Sequence, residues 1–253
     1  MNSAPVAVLP TQHRRGLLIL SGVLLLLGIV GFTLIYSMVH ANAGLAALDR
    51  PVFQDLLRQR NHGWTIFFAI ISTLASPPWL ASIVLISAGL WFLIRREWWR
   101  PTLWVGAMAL GAASSNIIKH IVGRRRPPLA DMATGVNHSF SFPSGHTLGM
   151  AIFILVLGYL LLSRSYRSGK LVLWLLAALV TIGLVALSRL YLGYHWLSDV
   201  SASLSVALVF LGLVILADVF RPKRADTLLR KSSKPVADSI ARSESPVDTP
   251  DQR

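Results

Sequence analysis

Three short stretches of the 253-residue chain carry side chains suited to phosphate chemistry: "KHIVGRRRP" (119–127), "PSGH" (143–146) and "SRLYLGYHWLSD" (188–199). Each stands where a long apolar run ends or begins. Lys119, Arg126 and Arg189 would repel one another in a shared pocket unless an anion balanced them. A phosphate group does so, and the planar fork of arginine matches its oxygens. Ser144 is a natural helix N-cap. The free N–H groups and dipole of such a helix start attract anions, and Gly145 lets the backbone approach one closely. His146, in the first turn, would point toward the same anion. His195 and Asp199 are four apart, a spacing that puts both on one face of a helix. A carboxylate beside an imidazole fixes its tautomer and frees the other ring nitrogen as a nucleophile. Singly, each residue has a plainer account. Lys119 reads equally as a snorkelling interfacial lysine, Ser144 as a cap only, and His146 as a satisfied polar side chain. The convergence of the three stretches favours chemistry.

The elements that must position these residues are read from composition and hydropathy. The chain is 54% hydrophobic and 14% charged, with mean hydropathy +0.59. A soluble domain of this length carries about 25% charged residues, so lipid is the expected solvent. With no cysteine, disulfides, thiolate catalysis, zinc fingers and iron–sulfur centres are excluded. The fold class expected is all-α, a polytopic integral membrane protein with six transmembrane helices. The spans are Gly16–Val39, a helix from about Pro78 within the Trp64–Ile94 run, Pro101–Val122, Ser144–Leu162, Lys170–Leu187 and Trp196–Phe220. "ASPP" (75–78) interrupts the second run, because proline removes a backbone donor and clashes with the preceding turn. The first run is too long for a cleaved signal and reads as a retained helix.

The net charge of +13 follows the topology rule for membrane proteins and does not point to a nucleic acid. "HRR" (13–15), "RREWWR" (95–100), "RSYRSGK" (164–170) and "RPKR" (221–224) fall on one side of a six-span bundle. Positive charge stays cytoplasmic, so both termini are expected inside, with the active site at the extracytoplasmic ends of helices 3–6. Residues 48–60, "LDRPVFQDLLRQR", form a short interfacial amphipathic helix. The domain reading is a cytoplasmic N-terminus (1–15), a six-helix membrane domain (16–220) and a disordered cytoplasmic tail (221–253), too polar to bury a core. Only six carboxylates precede Phe220: Asp49, Asp55, Glu97, Asp131, Asp199 and Asp218. One of these few stands four residues from a histidine at a membrane boundary, where ionisable groups are costly.

The three stretches resemble the three-part signature of the type-2 phosphatidic acid phosphatase superfamily, the lipid phosphate phosphatases. The first part matches Lys119, six residues, then Arg126 and Pro127; the second matches Pro143, Ser144, Gly145 and His146. The third matches Ser188 and Arg189, five residues, His195, three residues, then Asp199. The resemblance implies roles. His195 is the nucleophile that becomes a phosphohistidine, Asp199 orients it, and His146 is the general acid. Lys119, Arg126, Ser144, Gly145 and Arg189 bind phosphate. Arg124 and Arg125 lie off the motif and are expected at a headgroup or second phosphate, while His120 and His138 match no role. No cofactor and no metal is implied. The partners expected are the bilayer and a membrane lipid phosphate.

The function expected is lipid phosphate hydrolysis, with polyprenyl diphosphate (undecaprenyl or decaprenyl) the favoured substrate and phosphatidylglycerophosphate or phosphatidic acid the alternatives. A lipid phosphotransferase, or a non-enzymatic transporter or scaffold, are rival classes. The charge asymmetry and lack of cysteine suit a bacterial inner membrane.

Overall fold

The computed structural model describes residues 11–163 and 168–221. Its helices are α1 (Thr11–Ala41), α2 (Asp49–Arg58), α3 (His62–Leu74), α4 (Pro77–Arg95), α5 (Trp99–Val122), α6 (Gly145–Leu162), α7 (Ser168–Tyr191) and α8 (Leu197–Val219). Six of them, α1 and α4 to α8, are long and apolar enough to cross a bilayer. Among the described residues the only other regular elements are short 3₁₀ turns. The break expected at "ASPP" is present: α3 ends at Leu74 and α4 opens with Pro77 at its first position, where the missing N–H would have had no helical partner anyway. The tail 222–253, and residues 164–167 and 222–224 of the basic clusters, lie outside the described residues.

Helices α6 and α8 form the centre, with α5 and α7 beside α6 and α1 along α8. Outward faces of the peripheral helices are apolar, as at Leu26, Ile86 and Leu179, the surface a bilayer would cover. Lipid tails are as apolar as leucine, so close backbone approach and polar contacts hold such helices together. The α1–α8 seam shows both. Ser21 Oγ donates to Gly212 O at 2.8 Å, and Gly28 packs against the Ser205 carbonyl and Val209. A Cβ at Gly28 would stand 2.6 Å from Ser205 O and from Val209 Cγ2. Gly28→Ala must therefore push α1 off a backbone, and we expect about 1–3 kcal/mol of destabilisation. It should be read as a lower unfolding temperature in detergent, with turnover per folded molecule unchanged.

Helix α6 is tied from two sides by indoles: Trp104 Nε1 donates to Phe153 O at 3.2 Å and Trp174 Nε1 to Ile154 O at 2.9 Å. At one end of the bundle Arg100 of α5, 4% exposed, bonds Leu160 O, Ser163 Oγ at 3.0 Å and Asp218 at 3.3 Å. One of the "RREWWR" charges is thus spent joining α5, α6 and α8. The opposite end gathers the C-termini of α5 and α7, the N-termini of α6 and α8, and the α2–α3 hairpin. The hairpin is held there by Arg60, whose Nε donates to Tyr191 O at 2.8 Å.

Two local details differ from the sequence-based expectation. Helix α7 continues to Tyr191, so Ser188 and Arg189 sit on its last turn, not in the connection. Helix α8 begins at Leu197, so His195 precedes it, and the His195–Asp199 pair does not lie along one helical face. Gly193, at φ +79°, makes the reversal that brings residue 195 back over the first turn of α8. The Asp199 carboxylate reaches out of that turn, accepting from Trp196 N at 2.9 Å.

Candidate active site

All the side chains singled out by the three stretches meet at this second end. Gly123 ends α5 in the left-handed conformation (φ +62°), which glycine adopts without a Cβ penalty. The turn sends Arg124 and Arg126 back over the bundle. Ser144 caps α6, its Oγ accepting from Thr147 N at 3.5 Å and from Thr147 Oγ1 at 3.1 Å. The capping account of Ser144 therefore holds. It is compatible with anion binding, since Oγ accepts both bonds and keeps its own proton to donate. The Ser144 backbone is pinned to α8: its N–H donates to Asp199 O at 3.3 Å, and Ser203 Oγ donates to its carbonyl at 3.0 Å.

His195 is 2% exposed and Asp199 fully buried. His195 Nδ1 lies 3.3 Å from Asp199 Oδ2, and Nε2 lies 3.1 Å from Arg126 Nη1. A guanidinium can only donate, so Nε2 is the acceptor and the proton belongs on Nδ1, facing Asp199. Burial, reinforced by Arg126, Arg189 and Lys119, holds the His195 pKa well below the usual imidazole range. The ring is neutral near pH 7, with a lone pair on Nε2. Burial likewise lowers Arg126, partly offset by Asp199. Arg126 is locked by Ser139 O at 2.7 Å, Ser139 Oγ at 2.9 Å and Tyr194 O at 2.6 Å.

The remaining cations lie within electrostatic reach of His195. Arg189, 5% exposed, bonds Ser72 Oγ and stacks 4.1 Å from the Tyr194 ring centre, while its Nε is buried without a partner. Ser115 Oγ is also buried and unpartnered. A Cβ built on Gly145 would stand 3.7 Å from Ser115 Oγ and 3.8 Å from Lys119 Nζ, which places these two groups across the start of α6. His146 lies within electrostatic reach of Arg189, His195, Lys119 and Arg126. Three cations and two orphaned donors at this end of the bundle offer the charge and hydrogen bonds that a tetrahedral anion would take up. Buried donors without partners cost about 1–3 kcal/mol each, which such an anion would relieve. Among the described residues no group of three or more His, Asp or Glu side chains is placed to hold a metal ion.

Arg124 and Arg125 part company. Arg124 does not face a headgroup: it bonds Asp199 Oδ1 at 2.6 Å, Ser198 Oγ at 2.7 Å and Asp49 Oδ2 at 2.6 Å. A charge bordering a bundle interior is pulled toward buried carboxylates, and spacing within the motif cannot reveal them. Arg125 is exposed, on the rim of a cavity of about 350 Å³ that His138 also lines. Sequence reasoning gave no role to Asp49, Ser115 or Ser198. The rarity of carboxylates was the one signal that could have singled out Asp49. An apolar groove of about 290 Å³ runs between α4, α5 and α6, with Ser115, Lys119 and Gly145 at one end and Leu80, Val84 and Ile152 along it.

Fold and site together are those of a membrane-embedded phosphatase, and the chain belongs to the PAP2 superfamily. The PAP2 superfamily model matches residues 100–223. The chain is 30% identical over 189 residues to phosphatidylglycerophosphatase B of Bacillus subtilis (strain 168), covering 72% of this chain and 89% of that relative. It also superposes on the crystal structure of a transmembrane PAP2-type phosphatidylglycerolphosphate phosphatase from Bacillus subtilis. There the TM-score is 0.70 at 25% identity, with 78% of this chain and 96% of that one covered. The protein is an integral-membrane lipid phosphatase.

Proposed function

We propose that the enzyme hydrolyses phosphatidylglycerophosphate to phosphatidylglycerol and inorganic phosphate through a phosphohistidine on His195. The observation that carries the mechanism is the aim of His195: Nδ1 faces Asp199, and Nε2 faces the Arg126 guanidinium, a group that binds phosphate oxygens. The Nε2 lone pair attacks phosphorus and an N–P bond forms. The bond from phosphorus to the ester oxygen breaks, its electron pair going to that oxygen, which takes a proton from His146, present as its imidazolium in the complex with the phosphate anion and left neutral by the transfer. A water then attacks phosphorus while His146 accepts its proton, and the N–P electron pair returns to Nε2 as phosphate leaves. Covalent catalysis thus divides one displacement into two. Lys119, Arg126 and Arg189 offset charge on the equatorial oxygens, with Ser144 and the Gly145 backbone donating to them. Asp199 stabilises the imidazolium that forms.

The groove ending at Lys119 and Gly145 supports a lipid substrate, since it would carry an acyl chain away from the phosphate site. The substrate preference moves from the polyprenyl diphosphate favoured by sequence reasoning to phosphatidylglycerophosphate, because that is what the named relatives act on. The basic clusters support a site on the extracytoplasmic face of a bacterial inner membrane. The test is kcat/KM for phosphatidylglycerophosphate, phosphatidic acid and undecaprenyl diphosphate in one detergent. We expect phosphatidylglycerophosphate to lead by at least tenfold; a lead for undecaprenyl diphosphate would return the assignment to a cell-wall carrier. Free phosphate, and not a second phospholipid, is the expected acceptor product.

A further inference from the structure

The three-part signature leaves out one of the most buried charges at the site. Asp49, in the first turn of α2, is 3% exposed and lies outside residues 100–223, the region that the family model matches. Its Oδ1 accepts from Ser198 N at 2.8 Å; its Oδ2 accepts from Ser198 Oγ at 2.6 Å and from Arg124 Nη2 at 2.6 Å. Arg124 uses its other terminal nitrogen on Asp199 Oδ1, at 2.6 Å. One guanidinium therefore bridges two buried carboxylates, a planar fork used at both tines. The far carboxylate is the one that faces His195.

We propose that Asp49 and Arg124 are positioning residues that fix the rotation of Asp199, and through it the tautomer and aim of His195. Asp199 Oδ1 is held by Arg124, so Oδ2 is the oxygen left to Trp196 N–H and His195 Nδ1. Asp49 sets the plane of the guanidinium from the opposite side. Two buried carboxylates sharing one half-buried arginine are a poor device for stability alone, because well-packed apolar groups of similar volume often serve as well or better. Their value lies in orientation. A competing account is that Asp49 merely caps α8 through Ser198 N–H. A second is that Arg124 contacts substrate. Each makes a different measurement move.

The proposal rests on the roles given above to His195 and Asp199, and the experiment separates the two. Full-length Arg124→Gln, Arg124→Lys, Asp49→Asn and the Arg124→Gln/Asp49→Asn double variant are purified in detergent. Phosphate release from phosphatidylglycerophosphate and from phosphatidic acid gives kcat and KM. The nitrogen spectrum of ¹⁵N-histidine-labelled protein, with His195→Gln assigning the resonance, reports the His195 tautomer without any substrate. We expect kcat to fall roughly 10- to 10²-fold in Arg124→Gln and Asp49→Asn, the range for groups that orient a catalytic residue from behind, with KM within about threefold. The double variant should resemble the worse single one, since the two act as a unit. Arg124→Lys should recover part of the loss, as its point charge meets one carboxylate well and two poorly. The Nδ1–H signal of His195 should be sharp in the native enzyme and shifted or mixed in the variants. A raised KM at native kcat would overturn the proposal in favour of a substrate contact. A lower unfolding temperature with native kcat and native His195 signal would overturn it in favour of a cap. If His195→Gln retained turnover, the nucleophile assignment would fail; the His195 spectra of the Arg124 and Asp49 variants would still decide the positioning role.

Discussion

His195→Gln is expected to lower phosphate release by roughly 10⁴-fold or more, because binding and charge stabilisation cannot replace a nucleophile. The geometry supports this size of effect. Among the described residues, His195 is the one imidazole with a carboxylate at 3.3 Å on Nδ1 and an arginine N–H at 3.1 Å on Nε2. Its burial keeps it neutral near pH 7, so Nε2 carries a lone pair, which accepts from the Arg126 N–H in this structure. Glutamine fills much of the same volume, so loss of activity would not reflect a collapsed pocket. Folding of the variant should be checked at the same time by its unfolding temperature. Rapid quench with ³²P-labelled lipid should trap a base-stable, acid-labile phosphoenzyme in the native protein and none in His195→Gln. His146→Ala is the informative contrast: turnover should fall roughly 10²- to 10⁴-fold, the span for a general acid–base group, while the nucleophile remains in place. Equal turnover by His195→Gln and the native enzyme would refute the covalent mechanism.

Asp199→Asn should cost roughly 10³- to 10⁴-fold in kcat, comparable to the loss of the orienting carboxylate in a serine protease triad. Both oxygens of Asp199 receive donors: Oδ1 from Arg124 at 2.6 Å, and Oδ2 from Trp196 N at 2.9 Å. An amide offers one oxygen. If its nitrogen takes the Oδ2 place, it donates to His195 Nδ1 and drives the proton to Nε2, which then confronts Arg126 with two donors and no acceptor. If its nitrogen takes the Oδ1 place, it confronts Arg124. The first outcome gives the wrong tautomer; the second sets donor against donor and loses one charge-assisted hydrogen bond, about 1–3 kcal/mol, while Arg124 keeps Asp49 and Ser198. Steady-state phosphate release, read beside the unfolding temperature, distinguishes them. A kcat within tenfold of native would show that Asp199 is only a structural acceptor at the head of α8.

Much of this molecule is legible in one dimension because lipid imposes strong local rules. A span must be about 20 apolar residues long, so six runs could be read from hydropathy. Proline at 77 and 78 and glycine at 123 announce their breaks through backbone sterics that need no tertiary partner. Signature residues could be found for a related reason. Lys119, Arg126, Arg189, His195 and Asp199 are ionisable groups at membrane boundaries, where each is costly and therefore informative.

The sequence by itself determined the class of fold and the six apolar spans, and it named the candidate residues for chemistry, since each follows from local composition or from a fixed spacing. Only the tertiary structure decided where helices stop and what the charges face. Helix α7 runs on through Arg189, and His195 stands before α8, because these ends are set by the turn at Gly193 and by what packs on it. Arg124 reads as a headgroup ligand in sequence, yet it turns inward to Asp49, 75 residues away. Electrostatic attraction across a low-dielectric interior depends on distance in space, and chain spacing does not encode that distance until the helices have packed.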